Sequence, residues 1–168
     1  MYFTGYHGTT TTNGNEIVEQ KRFNLSKSSK EWLGTGIYFY IEYRDAYSWS
    51  SNIVGNNKET TVLHILIDID EDCVLDLDSE KGIVFSREAI NILENSYYHL
   101  DKRTAQENQC TISNFIWSKC GNLQMMIASF ATEVTPFSML RDVRERRREF
   151  CLRSNKYIKS IQEIERGD

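Results

Sequence analysis

The stretch that most constrains this chain is Gly34-Thr35-Gly36-Ile37-Tyr38-Phe39-Tyr40. Its two glycines allow a tight turn, because a residue without a Cβ atom reaches backbone conformations that other residues avoid. The apolar and aromatic run that follows predicts a buried strand over residues 36–41. We therefore expect a fold in which the other elements pack around this turn and its strand.

Two further segments bring chemically useful side chains into the same part of the chain. The motif Tyr6-His7-Gly8-Thr9 ends a first predicted strand, which begins at residue 2. Apolar spacing from Tyr43 to Val54 predicts a helix, and Ala46 and Trp49 lie on it. An imidazole, a phenol and an indole thus fall within the first 50 residues.

The rest of the chain alternates between strand-like and helix-like spacing of its apolar residues. A polar stretch at residues 9–15 offers caps for a short helix that follows it. Further strands are predicted at residues 60–69, 73–77 and 149–153, and further helices at residues 86–100 and 112–130. Strands at both ends and helices in the middle predict an α+β fold in a single domain, residues 1–168.

Composition narrows the classes of function. The 168 residues are 40% hydrophobic and 26% charged, which is the balance of a soluble globular domain. A net charge of −4 argues against a general polyanion binder. No window approaches the roughly 18 apolar residues of a membrane span, and the N-terminus has no signal-peptide pattern. We expect a cytoplasmic protein with no membrane partner.

The four cysteines are expected to be buried or free thiols, as in a reducing cytoplasm. They are Cys73, Cys110, Cys120 and Cys151. No two of them form a Cys-x-x-Cys pair, and no histidine stands at zinc-finger spacing from them. The sequence therefore predicts no metal site.

Taken in order, the motifs resemble those of the ADP-ribosyltransferase superfamily. The resemblance rests on Tyr6-His7-Gly8-Thr9, on the glycine turn with Tyr38, on the helix with Trp49, and on a late strand that opens with Glu149. It is similar to the His-Tyr-Glu branch, which includes diphtheria-like toxins, poly(ADP-ribose) polymerases and small bacterial toxin or phage-defence proteins. The resemblance implies one domain in which two small packed sheets, antiparallel or mixed, form an NAD cleft flanked by helices.

The resemblance also implies a set of NAD-binding residues near the first strand. His7 would hydrogen-bond the adenosine ribose. Gly8 would meet the nicotinamide amide through its backbone, where a side chain would block the approach. Thr9 and Ala46 complete this expected set.

By the same resemblance, the rings of Tyr38 and Trp49 would sandwich the nicotinamide, and Glu149 would bind the nicotinamide ribose. His7, Tyr38 and Glu149 are the expected catalytic residues. Physical chemistry favours a glutamate here, because breaking the nicotinamide–ribose bond leaves a sugar with positive charge. A fixed carboxylate stabilises that charge and can accept a proton from an incoming hydroxyl. Glu133 and Glu163 are rival third residues.

Two departures from the family pattern bear on the substrate. The arginine-specific branch begins with Arg where this chain has His7, and it carries Gln or Glu where this chain has Arg147. Modification of protein arginine is therefore disfavoured. Relatives that remove a 2′-phosphate from RNA rely on several arginines instead, so that activity is disfavoured as well.

A basic run precedes the candidate glutamate, with five arginines between residues 141 and 148. Arg144 and Arg147 are the candidate acceptor-binding residues, since a basic patch beside the reacting sugar would attract a polyanion. The alternative interpretation is a solvated, salt-bridged face.

The sequence thus leads to a mono-ADP-ribosyltransferase that uses NAD as co-substrate and needs no metal. Its acceptor is a macromolecule, with a slight preference for nucleic acid, RNA included, over protein. The expected setting is a toxin or effector of a bacterial toxin–antitoxin or anti-phage system, with a separate antitoxin or inhibitor protein. The alternatives are an NAD glycohydrolase and a non-catalytic module that binds NAD or ADP-ribose.

Overall fold

The computed structural model describes residues 1–54, 59–96, 104–131 and 146–164. Within these ranges the strands are β1 (Tyr2–Thr10), β2 (Ile37–Tyr40), β3 (Thr60–Asp68), β4 (Val74–Asp76), β5 (Met125–Ala131), β6 (Arg146–Leu152) and β7 (Ile158–Glu163). The α-helices are α1 (Thr11–Gln20), α2 (Tyr43–Val54), α3 (Glu80–Asn95) and α4 (Ala105–Lys119). Short 3₁₀ turns lie at Glu71–Cys73 and Asn155–Tyr157.

The strands form one seven-stranded sheet in the order β4-β5-β6-β2-β1-β3-β7. The β4–β5 pair is parallel and the other neighbours are antiparallel, so the expected α+β class is confirmed. The expectation of two packed sheets was wrong, because the strands form a single sheet. Tyr6 of β1 pairs with Tyr40 of β2, and this register joins the two halves into a continuous sheet.

Each face of the sheet carries a buried apolar core. On one face, Leu63, Ile65 and Ile67 of β3 pack with Phe39 and Phe150, and all five are 0% exposed. The other face packs against helices α2, α3 and α4 and is here called the α2–α4 face. The predicted alternation along β3 is confirmed, because every second residue from Leu63 enters the first core.

Several predicted elements are confirmed, and two had to be corrected. The helix at Tyr43–Val54 has the predicted bounds. The Thr10 hydroxyl caps α1 by accepting from the Asn13 amide at 3.2 Å. The start of α3 was predicted too late. Ser79 caps that helix by accepting from the Gly82 amide at 3.0 Å, and the helix begins at Glu80.

The predicted helix over residues 112–130 was wrong in its second half. Helix α4 ends at Lys119, and Met125–Ala131 form strand β5. Consecutive residues of β5 are buried, since both faces of the sheet are covered, and the segment therefore lacks strand-like alternation. For the other predicted helix, over residues 86–100, the last four residues (97–100) lie outside the described residues.

All four cysteines are free thiols, as expected. No helix within the described ranges combines the length and the apolar character needed to cross a membrane.

Candidate active site

The centre of the sheet is the junction between β1 and β2, which pair at the single register Tyr6–Tyr40. One residue further along β1, the side chain of His7 links the two strands, because its Nδ1 lies 2.9 Å from the Tyr38 carbonyl oxygen. Burial lowers the pKa of His7, which favours the neutral ring. Since a carbonyl only accepts, Nδ1 carries the proton in this contact and Nε2 is left as an acceptor.

The imidazole of His7 does not share a sheet face with the other two predicted catalytic side chains. It packs edge-on against Phe23 and Phe39, with ring centroids 5.1 and 6.0 Å away. Tyr38 pairs with Cys151, and two residues along each strand Tyr40 pairs with Glu149. The side chains of Tyr38 and Glu149 therefore share the α2–α4 face, and His7 is linked to them through the Tyr38 backbone.

The Tyr38 ring is fixed by the turn that precedes it. Its hydroxyl donates to the Gly34 carbonyl at 2.6 Å and accepts from the Leu33 amide at 2.9 Å. Burial raises the pKa of Tyr38, so the phenol stays protonated. The sequence pattern predicted the turn and the strand, and the structure adds that the tyrosine itself closes the turn.

Helix α4 holds this turn from the other side. Gly34 has a φ of +77°, and a Cβ there would lie 2.6 Å from the Asn114 Oδ1 atom. That same oxygen accepts from the Thr35 amide at 2.9 Å, and the Trp117 indole donates to the Leu33 carbonyl at 2.8 Å. Glycine is required at this position by both the backbone conformation and the close packing.

Gly8 and Ala46 meet directly, as the helix α2 crosses β1. A Cβ on Gly8 would lie 2.0 Å from the Ala46 carbonyl oxygen, so only glycine allows this approach. Trp49 lies one turn further along α2 with 37% of its surface exposed. Among the side chains that the structure describes, Trp49 and Tyr38 make no ring contact with each other. Thr9 is buried on the His7 side of β1.

Glu149 is half-buried on β6, opposite Tyr40 on one side and Ala128 on the other. Burial raises the pKa of Glu149 to about 7, and the Arg147 guanidinium works against this rise. The carboxylates of Glu31 and Asp45 add to it. A pKa near neutrality suits a general base, because both protonation states are accessible at the operating pH.

Arg147 lies two residues before Glu149 on the same face of β6, and its Nε is 3.7 Å from the Asp45 Oδ1 atom. The next residue, Arg148, points to the opposite face and pairs with Asp76. Arg144 and Glu133 lie outside the described residues. Glu163, the other rival carboxylate, is on the edge strand β7, three strands away from β2, and accepts from the Thr61 hydroxyl at 2.6 Å.

Sequence reasoning missed Glu31 and Asp45, the two carboxylates whose charges act on Glu149. Asp45 stands in the first turn of α2, a common place for an acidic residue, so its sequence position gives no functional signal. Glu31 accepts a hydrogen bond from the Ser26 hydroxyl in the segment before the glycine turn. No group of three or more potential metal ligands is clustered within the described part of the chain.

A separate cavity of about 480 Å³ lies between residues 27–29 and helix α4. Its lining side chains include Lys27, Glu107, Cys110 and Asn114. None of the predicted site residues lines this cavity, so it is distinct from the region around Glu149.

Comparison with known proteins gives one partial similarity. The chain is 44% identical over 46 residues to an uncharacterized protein of Methanocaldococcus jannaschii. The match covers 27% of this chain and 22% of the archaeal protein, so the chain spans about a fifth of the length of that relative. No family model and no solved structure matches the chain.

Proposed function

We propose that this protein is an NAD-dependent ADP-ribosyltransferase with Glu149 as its catalytic carboxylate. The observation that carries the proposal is the position of Glu149, half-buried on the sheet face that also bears Tyr38, with a pKa of about 7. The order of the motifs along the sequence gives independent support through their resemblance to the His-Tyr-Glu branch. NAD would be the co-substrate, and the mechanism requires no metal.

In the proposed reaction the bond between nicotinamide nitrogen and ribose C1′ breaks, and its electron pair leaves with the neutral nicotinamide. The sugar becomes positively charged, and the ionised Glu149 stabilises that charge in the transition state. An acceptor hydroxyl or amine then forms the new bond to C1′ and transfers its proton to the carboxylate or to water. Above pH 7 most of Glu149 is ionised, as this step needs.

In the proposed binding mode, different residues near the β1–β2 junction contact the adenosine end and the nicotinamide end of NAD. At the adenosine end, Nε2 of His7 would accept a hydrogen bond from a ribose hydroxyl, because Nδ1 already carries the proton. At the nicotinamide end, the backbone of Gly8 would contact the amide. The rings of Tyr38 and Trp49 would lie on either side of the nicotinamide, where aromatic faces attract one another.

The acceptor is proposed to be nucleic acid, on the basis of the arginine run before Glu149. Because Arg147 is paired with Asp45, it is only partly available to an acceptor. A toxin or effector role in a bacterial cytoplasm, restrained by a separate antitoxin, fits an enzyme of this type. These finer assignments rest on the family resemblance.

Incubation with NAD labelled in its adenylate part and a cell lysate tests the proposal. The expected result is a labelled macromolecule with wild-type protein and none with Glu149→Gln. Loss of the label with nuclease supports a nucleic-acid acceptor, and loss with protease supports a protein acceptor. Free ADP-ribose as the sole product would indicate an NAD glycohydrolase instead. Tight NAD binding without nicotinamide release would indicate a binding module.

A further inference from the structure

An ion pair joins the strand that carries Glu149 to the helix that carries Trp49. The Nε atom of Arg147 on β6 lies 3.7 Å from Oδ1 of Asp45, in the first turn of α2. The side chain of Arg147 is 31% exposed and that of Asp45 only 10% exposed. The pair is therefore partly shielded from water, and its attraction is stronger than that of a surface pair.

The described groups that act electrostatically on Glu149 come from three elements besides the segment before β2. Glu31 belongs to that segment, Tyr40 to β2, Asp45 to α2, and Arg147 and Cys151 to β6. Glu31 and Asp45 are acidic, and Arg147 is the positive member of the set. A carboxylate among these neighbours is hard to ionise unless the guanidinium stays next to it.

We propose that Arg147 is a positioning residue, which Asp45 holds beside Glu149 so that the guanidinium compensates the negative charge of that carboxylate. This inference rests on the proposed function, in which Glu149 acts in its ionised form. It differs from the acceptor-binding role that the sequence suggested for Arg147, because the guanidinium is directed to a residue of this same chain.

Two details of the geometry support this role. Residues two apart on a strand project from the same face, so Arg147 and Glu149 are neighbours on the α2–α4 face. The buried Nε of Arg147 has no hydrogen-bond partner among the described residues. A buried donor without a hydrogen-bond partner is costly. The ion pair with Asp45 is the interaction that holds the guanidinium at this position. The opposing effect of Arg147 on the pKa of Glu149 agrees with this arrangement.

Arg148 provides a matched control on the same strand. It is closer to Glu149 in sequence than Arg147 is, but it lies on the opposite face and pairs with Asp76. Arg148→Gln removes the same charge as Arg147→Gln from an adjacent position. A general effect of net charge would appear in both variants, whereas a specific contact would appear only at Arg147.

The test is an NMR pH titration of the full chain labelled at the glutamate side-chain carboxyl carbons, without NAD. The Glu149 signal is assigned by its loss in Glu149→Gln. We expect Arg147→Gln to raise the titration midpoint of Glu149 by about one pH unit, the lower end of the range for losing a nearby opposite charge. Arg147→Lys should restore most of the wild-type midpoint, and Arg148→Gln should leave it unchanged.

An unchanged midpoint in Arg147→Gln, or equal shifts in Arg147→Gln and Arg148→Gln, would overturn the proposal. If Arg147→Gln fails to fold, the double variant Asp45→Asn with Arg147→Gln removes both charges of the ion pair together. Its midpoint should lie above that of the wild type, because Arg147 acts on Glu149 more strongly than Asp45 does, and a midpoint at or below the wild type would overturn the proposal. Because the titration needs no substrate, it separates this inference from the proposed activity, which fails if Glu149→Gln still consumes NAD.

Discussion

Replacing Glu149 by glutamine is expected to stabilise the folded protein at alkaline pH while removing the proposed activity. In the folded protein the pKa of Glu149 is about 7, against an ordinary value of 4.5. At 1.36 kcal/mol per pKa unit, this difference makes ionised Glu149 cost the fold on the order of 3 kcal/mol. Glutamine has nearly the same shape and no charge, so it avoids this cost.

The pH dependence follows from the direction of the pKa change. Below pH 4.5 both states hold the proton and Glu149 costs the folded state nothing. Between pH 4.5 and pH 7, Glu149 loses its proton in the unfolded state but keeps it in the folded state, so the stability of the fold falls as the pH rises. Above pH 7 both states are ionised and the full cost is present. The advantage of Glu149→Gln should therefore grow by about 2–3 kcal/mol between roughly pH 5 and pH 8.5.

Thermal or urea unfolding at these two pH values measures the effect. For a chain of this size, about 2–3 kcal/mol corresponds to a rise in Tm of roughly 5–10 °C. Glu19→Gln on the exposed surface of α1 is the matched control and should show no growth in its difference from wild type. A Glu149→Gln variant that is equally or less stable than wild type at both pH values would refute the claim that Glu149 is held in a desolvated site.

Three further predictions concern other parts of the site. Trp49→Ala should weaken NAD binding by about 1–2 kcal/mol in a calorimetric titration, while Trp49→Phe should be much milder; an unfolded Trp49→Ala would show that the indole is structural. Tyr38→Phe should lower the free energy of unfolding by about 1–3 kcal/mol, because it leaves the Gly34 carbonyl and the Leu33 amide without their hydroxyl partner; a value near zero would mean that water replaces it. Modification of a nucleic-acid acceptor should fall steeply between roughly 50 and 200 mM salt, and salt-insensitive labelling would argue for a protein acceptor.

The fold was predictable where local spacing and burial agree. Strand β3 has one core face, so its alternation is visible in the sequence, and the spacing along α2 matches its observed bounds. Strand β5 was missed because Met126 and Ile127 are both buried, and an apolar run of this kind is compatible with either period. The joining of β1 to β2 at one register is a tertiary contact that no local pattern records.

The sequence motifs nominated the candidate residues, but the surroundings of these residues could not be predicted from the sequence. The sequence nominated Glu149 because the motif order predicted that it opens a late strand; in the structure that strand, β6, begins three residues earlier at Arg146. Its high pKa depends on burial and on Glu31 and Asp45, which the fold brings near it from distant positions. The position of His7 on the other face of the sheet also depends on the strand register.

The central claim is that Glu149 drives cleavage of the nicotinamide–ribose bond, and the rate of nicotinamide release tests it most directly. Release is common to transfer and hydrolysis, so the result does not depend on the acceptor. With NAD and lysate at about pH 8, where Glu149 is ionised, wild-type protein should release nicotinamide and Glu149→Gln should be slower by at least about 100-fold. No release by the wild type, or a Glu149→Gln rate close to that of the wild type, would contradict the account.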